Sequence, residues 1–358
     1  MAVYTAIDNP ELYFQTKTYS GSSSDISATF DGTNDMQPDW VWLKQRGGSG
    51  DHLVYDSVRG VNKRLTLNGT DAEVDRSANN DELKSFNSDG WTLGTFNSNV
   101  TGAGSTNVSW NWKAGGSASS NGDGAQSTSV SANTTSGFSI VSYTGTGTTT
   151  NFGHGLGVKP NVILIKSLAS NDWVMNGDFL GSTTWQHKLI LNTTGAKATA
   201  NNFNDQAPTS SVWYLNSIHG TTNASSQAFI AYCFAEKQGY SKFGSYTGNG
   251  SSTDGTFIYL GFRPAMFLIK SSSNAEQWEI MDNKRDTTNI VNQILVPNGS
   301  DAEIASVAGN RFFGDFLSNG VKLRGNASSA NGSGLTYIYA AFAESPFVNS
   351  NGVPNNAR

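Results

Sequence analysis

Three times along the chain a proline opens a strand-length apolar run that ends in lysine. The runs are PDWVWLK (38–44), PNVILIK (160–166) and PAMFLIK (264–270). Apolar character this continuous over so few residues predicts a strand covered on both faces. A Tyr-(Ser/Thr)-Gly element stands upstream at Tyr19, Tyr143 and Tyr246, preceding the proline by 19, 17 and 18 residues. Downstream come LTLN (65–68), LILN (189–192) and ILVPN (294–298), and then TDAE (70–73), TGAK (194–197) and SDAE (300–303). A hairpin-like FNSDGWTL (86–93) returns as FLSNGVKL (316–323), with VWYLNS (212–217) in the matching place of the middle stretch. Each stretch closes on an alternating segment: Val108, Trp110 and Trp112, then Ile230, Tyr232 and Phe234, then Ile338, Ala340 and Phe342. Period two predicts a half-buried strand with that face inward.

Six landmarks in one order predict a tandem triplication. Asn-, Asp- and Gly-rich turns separate the segments, and no stretch carries a long 3.6-residue apolar period. The reading is therefore all-β: three tandem antiparallel β-sandwich domains behind an N-terminal arm. A unit of about 100 residues is long enough to bury a core of its own. The boundaries fall at 1–15 for the arm, 16–114 for the first unit, 138–238 for the second, 239–348 for the third and 349–358 for a C-terminal tail. Residues 115–137, GGSASSNGDGAQSTSVSANTTSG, read as a Gly/Ser-rich flexible linker, so the first unit is expected on a longer tether than the other two.

Composition narrows the function. Charged residues are 14% of the chain, against roughly 25% in an ordinary soluble protein, and Gly alone numbers 39. That excludes coiled coils and helical bundles. With 9 Trp, 12 Tyr and 19 Phe, the chain has the means to pack cores, which argues against disorder. A net charge of −5 gives no field to recruit nucleic acid. No apolar run approaches 18 residues, so no membrane insertion is expected. The opening MAVYTAIDNPELYFQ lacks the basic and apolar regions of a secretory signal. The single cysteine, Cys233, excludes an intrachain disulfide framework and a cysteine-rich metal site, in keeping with synthesis in a reducing cytoplasm.

Catalytic chemistry is not legible. His52, His154, His187 and His219 share no repeat position and no metal-ligand spacing, and read as surface-loop residues. Neither a GxSxG elbow nor a Walker loop occurs, and GTGTTT (145–150) lacks the lysine of a phosphate cradle. Asp71 and Glu73 match Asp301 and Glu303, but Gly195 and Lys197 replace them in the middle unit. Two acids that close in sequence suit a turn better than the opposed walls of a glycosidase cleft. Asp56-Ser-Val-Arg59 is echoed by Asp282-Asn-Lys-Arg285, and Trp173 and Trp278 precede this segment. The plain reading is a structural ion pair; the sharper one makes Asp56, Arg59, Trp278, Asp282 and Arg285 a carbohydrate-contacting set. Trp40 and Trp42 align with Val162 and Leu164, and with Met266 and Leu268, which marks them as core. No cofactor or metal is expected.

The phrases IDNPELYFQTKTYSG, PDWVWLKQR, YDSVRG, SFNSDGWTLG, WNWKAG, YSKFGSYTGNGSSTDG, GFRPAMFLIK and YIYAAFAESPF resemble a tandem-repeat domain of unknown function found in virion proteins of marine tailed phages, of the cyanophage and pelagiphage type. The resemblance runs from about residue 8 to 348 and offers no catalytic residue to carry over. The hairpin is also similar to those of lectin-like and SPRY-like sandwiches. The middle unit departs from the pattern, lacking the Asp-x-x-Arg and the Asp-Gly hairpin. The resemblance implies a non-enzymatic virion surface protein made in the host cytoplasm, in first place a tail fibre or appendage adhesin that contacts host surface glycans. A capsid decoration protein is the alternative, and a polysaccharide depolymerase the third reading. Expected partners are other tail or capsid proteins, further copies of the chain as a homo-oligomer, and a host glycan.

Overall fold

The structure, a computed structural model, describes residues 4–96, 98–217, 219–307 and 309–356. The protein is all-β, built of several antiparallel sheets, with single-turn helices α1 (Ser98–Thr101) and α2 (Gly220–Asn223). Residues 1–3 of the expected arm and 357–358 of the expected tail lie outside the described residues.

The first stretch forms β1 (Phe14–Ser20), β2 (Ile26–Ala28), β3 (Trp40–Gln45), β4 (Leu53–Asp56), β5 (Lys63–Thr66), β6 (Val74–Asp75), β7 (Leu83–Phe86), β8 (Trp91–Leu93) and β9 (Thr106–Trp112). They make a six-stranded sheet in the order β1-β9-β3-β4-β5-β6 and a small sheet β2-β8-β7. The next forms β10 (Ser119–Asn121), β11 (Thr128–Asn133), β12 (Phe138–Thr144), β13 (Thr150–Gly153), β14 (Val162–Ser167), β15 (Trp173–Gly177), β16 (His187–Ile190), β17 (Ala198–Thr199), β18 (Val212–Leu215) and β19 (Ala228–Phe234). Its sheets are β10-β11-β12-β19-β14-β15-β16-β17 and β13-β18. The last forms β20 (Ser241–Thr247), β21 (Phe257–Tyr259), β22 (Phe262–Ser271), β23 (Trp278–Asp282), β24 (Gln293–Ile294), β25 (Ile304–Ala305), β26 (Gly314–Leu317), β27 (Gly320–Leu323) and β28 (Thr336–Pro346), in sheets β20-β28-β22-β23, β21-β27-β26 and β24-β25.

In each stretch the closing strand lies between the opening strand and the post-proline strand. Trp112 of β9 faces both Phe14 and Trp40. Phe234 of β19 faces Phe138 and Val162, and Phe342 of β28 faces Ser241 and Met266. The alternation of the closing strands thus sorts two buried faces. Val108, Trp110 and Trp112, with Ile230, Tyr232, Phe234, Ile338 and Phe342, enter one cluster that spans all three large sheets. Residues of the opposite face, such as Ala231, Cys233, Tyr339 and Ala341, pack beneath the smaller sheets.

The large sheets therefore share a core instead of packing as separate beads. Trp40 lies 4.7 Å from the Tyr232 ring and 5.9 Å from Phe138, while Phe342 lies 5.2 Å from Phe14 and 5.9 Å from Phe234. Aromatic surface of this extent, once removed from water, dominates the driving force for closure.

Residues 115–137, expected as a linker, instead carry β10 and β11, which extend the second large sheet; Val130 pairs with Val141 in β12. The N-terminal segment also docks on its own chain. The Ala6 N–H donates to the Gln238 carbonyl at 3.0 Å, and Ile7 is buried in the shared core. Asn9 caps the short 3-10 turn Pro10–Leu12 that leads into β1. The C-terminal tail is tied to this segment by Ser350, whose N–H and hydroxyl both donate to the Asp8 carboxylate.

Candidate functional site

Asp56 ends β4, and the chain turns back on itself at once. That brings the N–H groups of Val58 and Arg59 onto Asp56 Oδ1 at 3.1 and 2.8 Å. Arg59 Nε donates to Asp56 Oδ2 at 2.5 Å, and its Nη1 donates to Glu73 Oε2 at 3.0 Å. The Tyr232 hydroxyl, from the second large sheet, donates to the same Asp56 Oδ2 at 2.8 Å. The last stretch builds the same turn. Arg285 Nε donates to Asp282 Oδ2 at 2.5 Å and Nη1 to Glu303 Oε2 at 3.0 Å. Trp110 Nε1, from the first large sheet, donates to Asp282 Oδ2 at 3.1 Å. Burial pushes the Glu303 carboxyl up, but Arg46 and Arg285 outweigh it and hold the group below its ordinary value.

Trp278 is fully buried as well, and its Nε1 donates to the Ile190 carbonyl at 3.3 Å. All five residues of the carbohydrate-contacting set are therefore inside the protein. A sugar at the surface does not reach them: Asp56, Asp282 and Trp278 bond to a neighbouring sheet, and Arg59 and Arg285 hold the two aspartates from within their own stretches.

These junctions form a cycle. Segment 70–73 meets the second sheet: the Glu73 N–H donates to the Leu168 carbonyl (2.9 Å), and the Asn171 N–H to the Thr70 carbonyl (2.7 Å). Segment 194–197 meets the third, through the Lys197 N–H and the Ser272 carbonyl (2.9 Å). Segment 300–303 returns to the first, through the Glu303 N–H and the Arg46 carbonyl (2.8 Å), with a paired Arg46–Glu303 bridge beside it. Indole donors run the same way round, Trp173 Nε1 to the Thr66 carbonyl (2.9 Å) and Trp278 Nε1 to that of Ile190. His52 holds the corresponding place in the first sheet. It is buried, accepts from Trp42 Nε1 at 2.9 Å and faces the Val296 carbonyl; burial, with Lys44 nearby, pushes its imidazole well down. His154 is buried too, so only His187 and His219 of the four histidines reach the surface.

The cycle explains the odd middle stretch. Where Trp110 and Tyr232 supply a donor to Asp282 and Asp56, β28 has Ala340. The position it would serve carries Asn176, satisfied within its own stretch by donating to the Trp185 carbonyl at 2.6 Å. With no donor, no carboxylate is required. Ala340 also borders an apolar gap of about 50 Å³ between the sheets.

Lys44, Lys166 and Lys270 close the post-proline runs and are all fully buried. Their amines donate to backbone carbonyls: Lys44 to Gln45 (2.7 Å) and Ser300 (3.2 Å), Lys166 to Ser167 (2.7 Å) and Ala169 (3.0 Å), Lys270 to Ser271 (2.6 Å) and Asn274 (3.2 Å). Burial pulls each amine down to about 8. An unfolded lysine holds its proton to about pH 10.4. Between those values the unfolded state binds more protons, so these groups make stability rise with pH. Buried Cys233, raised to about 12, acts in the opposite sense above about pH 8.5. We expect the difference in unfolding free energy between the parent and Lys166→Met to shift in favour of the parent from about pH 7.5 to 9.5, as read by urea titration at each pH.

On the surface, a cavity of about 430 Å³ opens beside the N-terminal segment, between the start of β20 and the β21–β22 turn. Tyr4, Glu236, Gln238, Lys242 and Tyr259 line it, over buried Leu260. Among the described residues, no group of three or more His, Cys, Asp or Glu is placed to hold a metal ion.

A family model described as a domain of unknown function (DUF7483) matches residues 9–346. The chain belongs to that family. No curated protein and no solved structure matches it. The matched span takes in the whole cycle of junctions and the floor of the cavity, while Tyr4, Phe347 and Val348 at the cavity's rim lie outside the DUF7483 match. Sequence reasoning missed this cavity because its residues carry no motif and come together only where Tyr4, the β19–β20 junction, the β21–β22 turn and Phe347 and Val348 meet. It missed the lysines as a titrating set even though their shared spacing from proline was in plain view.

Proposed function

We propose that the chain is three copies of one block closed around a common core, serving as a non-enzymatic structural protein on the outside of a tailed-phage particle. Its place in that proposal is a tail fibre or appendage, where it touches glycans of the host envelope. The observation that carries contact over catalysis is the fate of four of the six matched acids, Asp71 and Asp301 being exposed. Asp56, Glu73, Asp282 and Glu303 are each held by an arginine at a junction between sheets, so they fasten the fold and do not face a substrate. What the surface offers instead is uncharged polar chain and a tyrosine-walled cavity. The resemblance to virion repeat proteins supplies the setting, and other virion proteins and further copies of the chain are the proposed partners. Repeated presentation on a particle multiplies weak sugar contacts into firm attachment.

Immunogold labelling of intact particles tests the location. Label on the tail is the expected result. Label spread over the shell replaces the fibre with the head-decoration reading, and unlabelled particles remove the virion assignment. Shortening of host polysaccharide by the purified protein would overturn the non-enzymatic reading.

A further inference from the structure

We propose that the cavity bordered by Tyr4 and Tyr259 binds one neutral pyranose unit. The proposal rests on the glycan-contact reading above and gives that contact a location. Most large aromatics of this protein are withdrawn from water; Tyr55, Tyr232, Tyr240 and Tyr337 are fully buried. Tyr4 and Tyr259, by contrast, are 53% and 54% exposed on the walls of one cavity. A tyrosine presents an apolar ring face and a polar tip, which matches the C–H face and hydroxyl rim of a sugar ring. The volume of about 430 Å³ suits a ligand of that size.

The polar groups around it are of complementary kinds. One Glu236 carboxylate oxygen accepts the Phe243 N–H at 2.6 Å; the other has no protein partner among the described residues. The Gln238 backbone carbonyl is engaged by Thr5 and Ala6, while its carboxamide has no partner among the described residues. Lys242 Nζ donates to the Tyr259 carbonyl at 3.0 Å and lies 5.1 Å from that ring, fixing the aromatic wall. An acceptor, an amide and an ammonium together can meet adjacent hydroxyls that both donate and accept. The charges of Glu236 and Lys242 offset one another, which favours a neutral sugar over an anionic one. Gly239, on the cavity wall, has φ +79°, and a Cβ there would meet Thr5 Oγ1 at 2.1 Å, so its bare backbone lets the segment that carries Tyr4 pack close.

The test is saturation-transfer NMR of the full chain with the methyl glycosides of glucose, galactose, mannose and N-acetylglucosamine, each at about 10 mM. At least one is expected to receive saturation on its ring protons, with a Kd near 1 mM. Tyr259→Ala and Glu236→Gln should each weaken it about tenfold or more while the thermal transition stays in place. Glu236→Gln keeps an acceptor for the Phe243 N–H, so it tests binding without disturbing the strand. Absence of transfer to all four glycosides, or transfer unchanged in both variants, overturns the site. Particle labelling reads the wider proposal separately: tail label with no sugar transfer removes the cavity alone, and sugar transfer with unlabelled particles removes the virion setting alone.

Discussion

Replacing Arg285 with methionine is expected to lower the unfolding free energy by about 3–5 kcal/mol, the cost of leaving buried partners of an ion pair uncompensated. The guanidinium is fully enclosed and reaches Asp282, Glu303 and the Ile280 carbonyl. Methionine fills much of the volume but, among the described residues, leaves Asp282 with Trp110 and neighbouring N–H groups and Glu303 with Arg46. Denaturant unfolding reads the loss. Adding Asp282→Asn to the variant should recover part of it, because the orphaned charge is then gone. A loss under about 1 kcal/mol would mean that the pair is solvated and that the junction between the last and first sheets is not closed as described.

Trp40→Ala should cost as much, about 3–5 kcal/mol, through the cavity left in the shared core. Its ring lies 4.4 Å from Trp112 in its own sheet and 4.7 and 6.0 Å from Tyr232 and Phe234 in the next. Because the packing crosses sheets, loosening is expected on both sides. Amide exchange should speed up in β19 along with β3. Trp40→Phe should be much milder, since the indole nitrogen has no hydrogen-bond partner among the described residues and only part of the ring is lost. Exchange confined to β3 would show that the first sheet packs independently of its neighbour.

Much of the fold was legible because strand signals are local. The proline-to-lysine spacing located β3, β14 and β22, and alternation located β9, β19 and β28. The second buried face of the closing strands, which packs beneath the smaller sheets, was hidden by small polar residues. Asn111 is buried, yet hydropathy marks it as outward; only the structure shows its carboxamide donating to the Gln15 carbonyl and accepting from Trp91 Nε1. Small residues also disguised β11. In TSVSAN a serine such as Ser131 is buried as fully as a valine, its hydroxyl accepting the Gly115 N–H at 2.9 Å. Asp56 and Asp282 were found by their matched Arg partners, but a sequence cannot say on which side of a wall an ion pair stands. The same motif serves a sugar site or a junction, and burial decides between them.

Scanning calorimetry of the full chain tests the architecture most directly. Three sheets on a common core should melt in a single transition, with van't Hoff and calorimetric enthalpies in agreement. Two or three resolved transitions, with a fragment of residues 4–114 melting by itself at one of those temperatures, would contradict it.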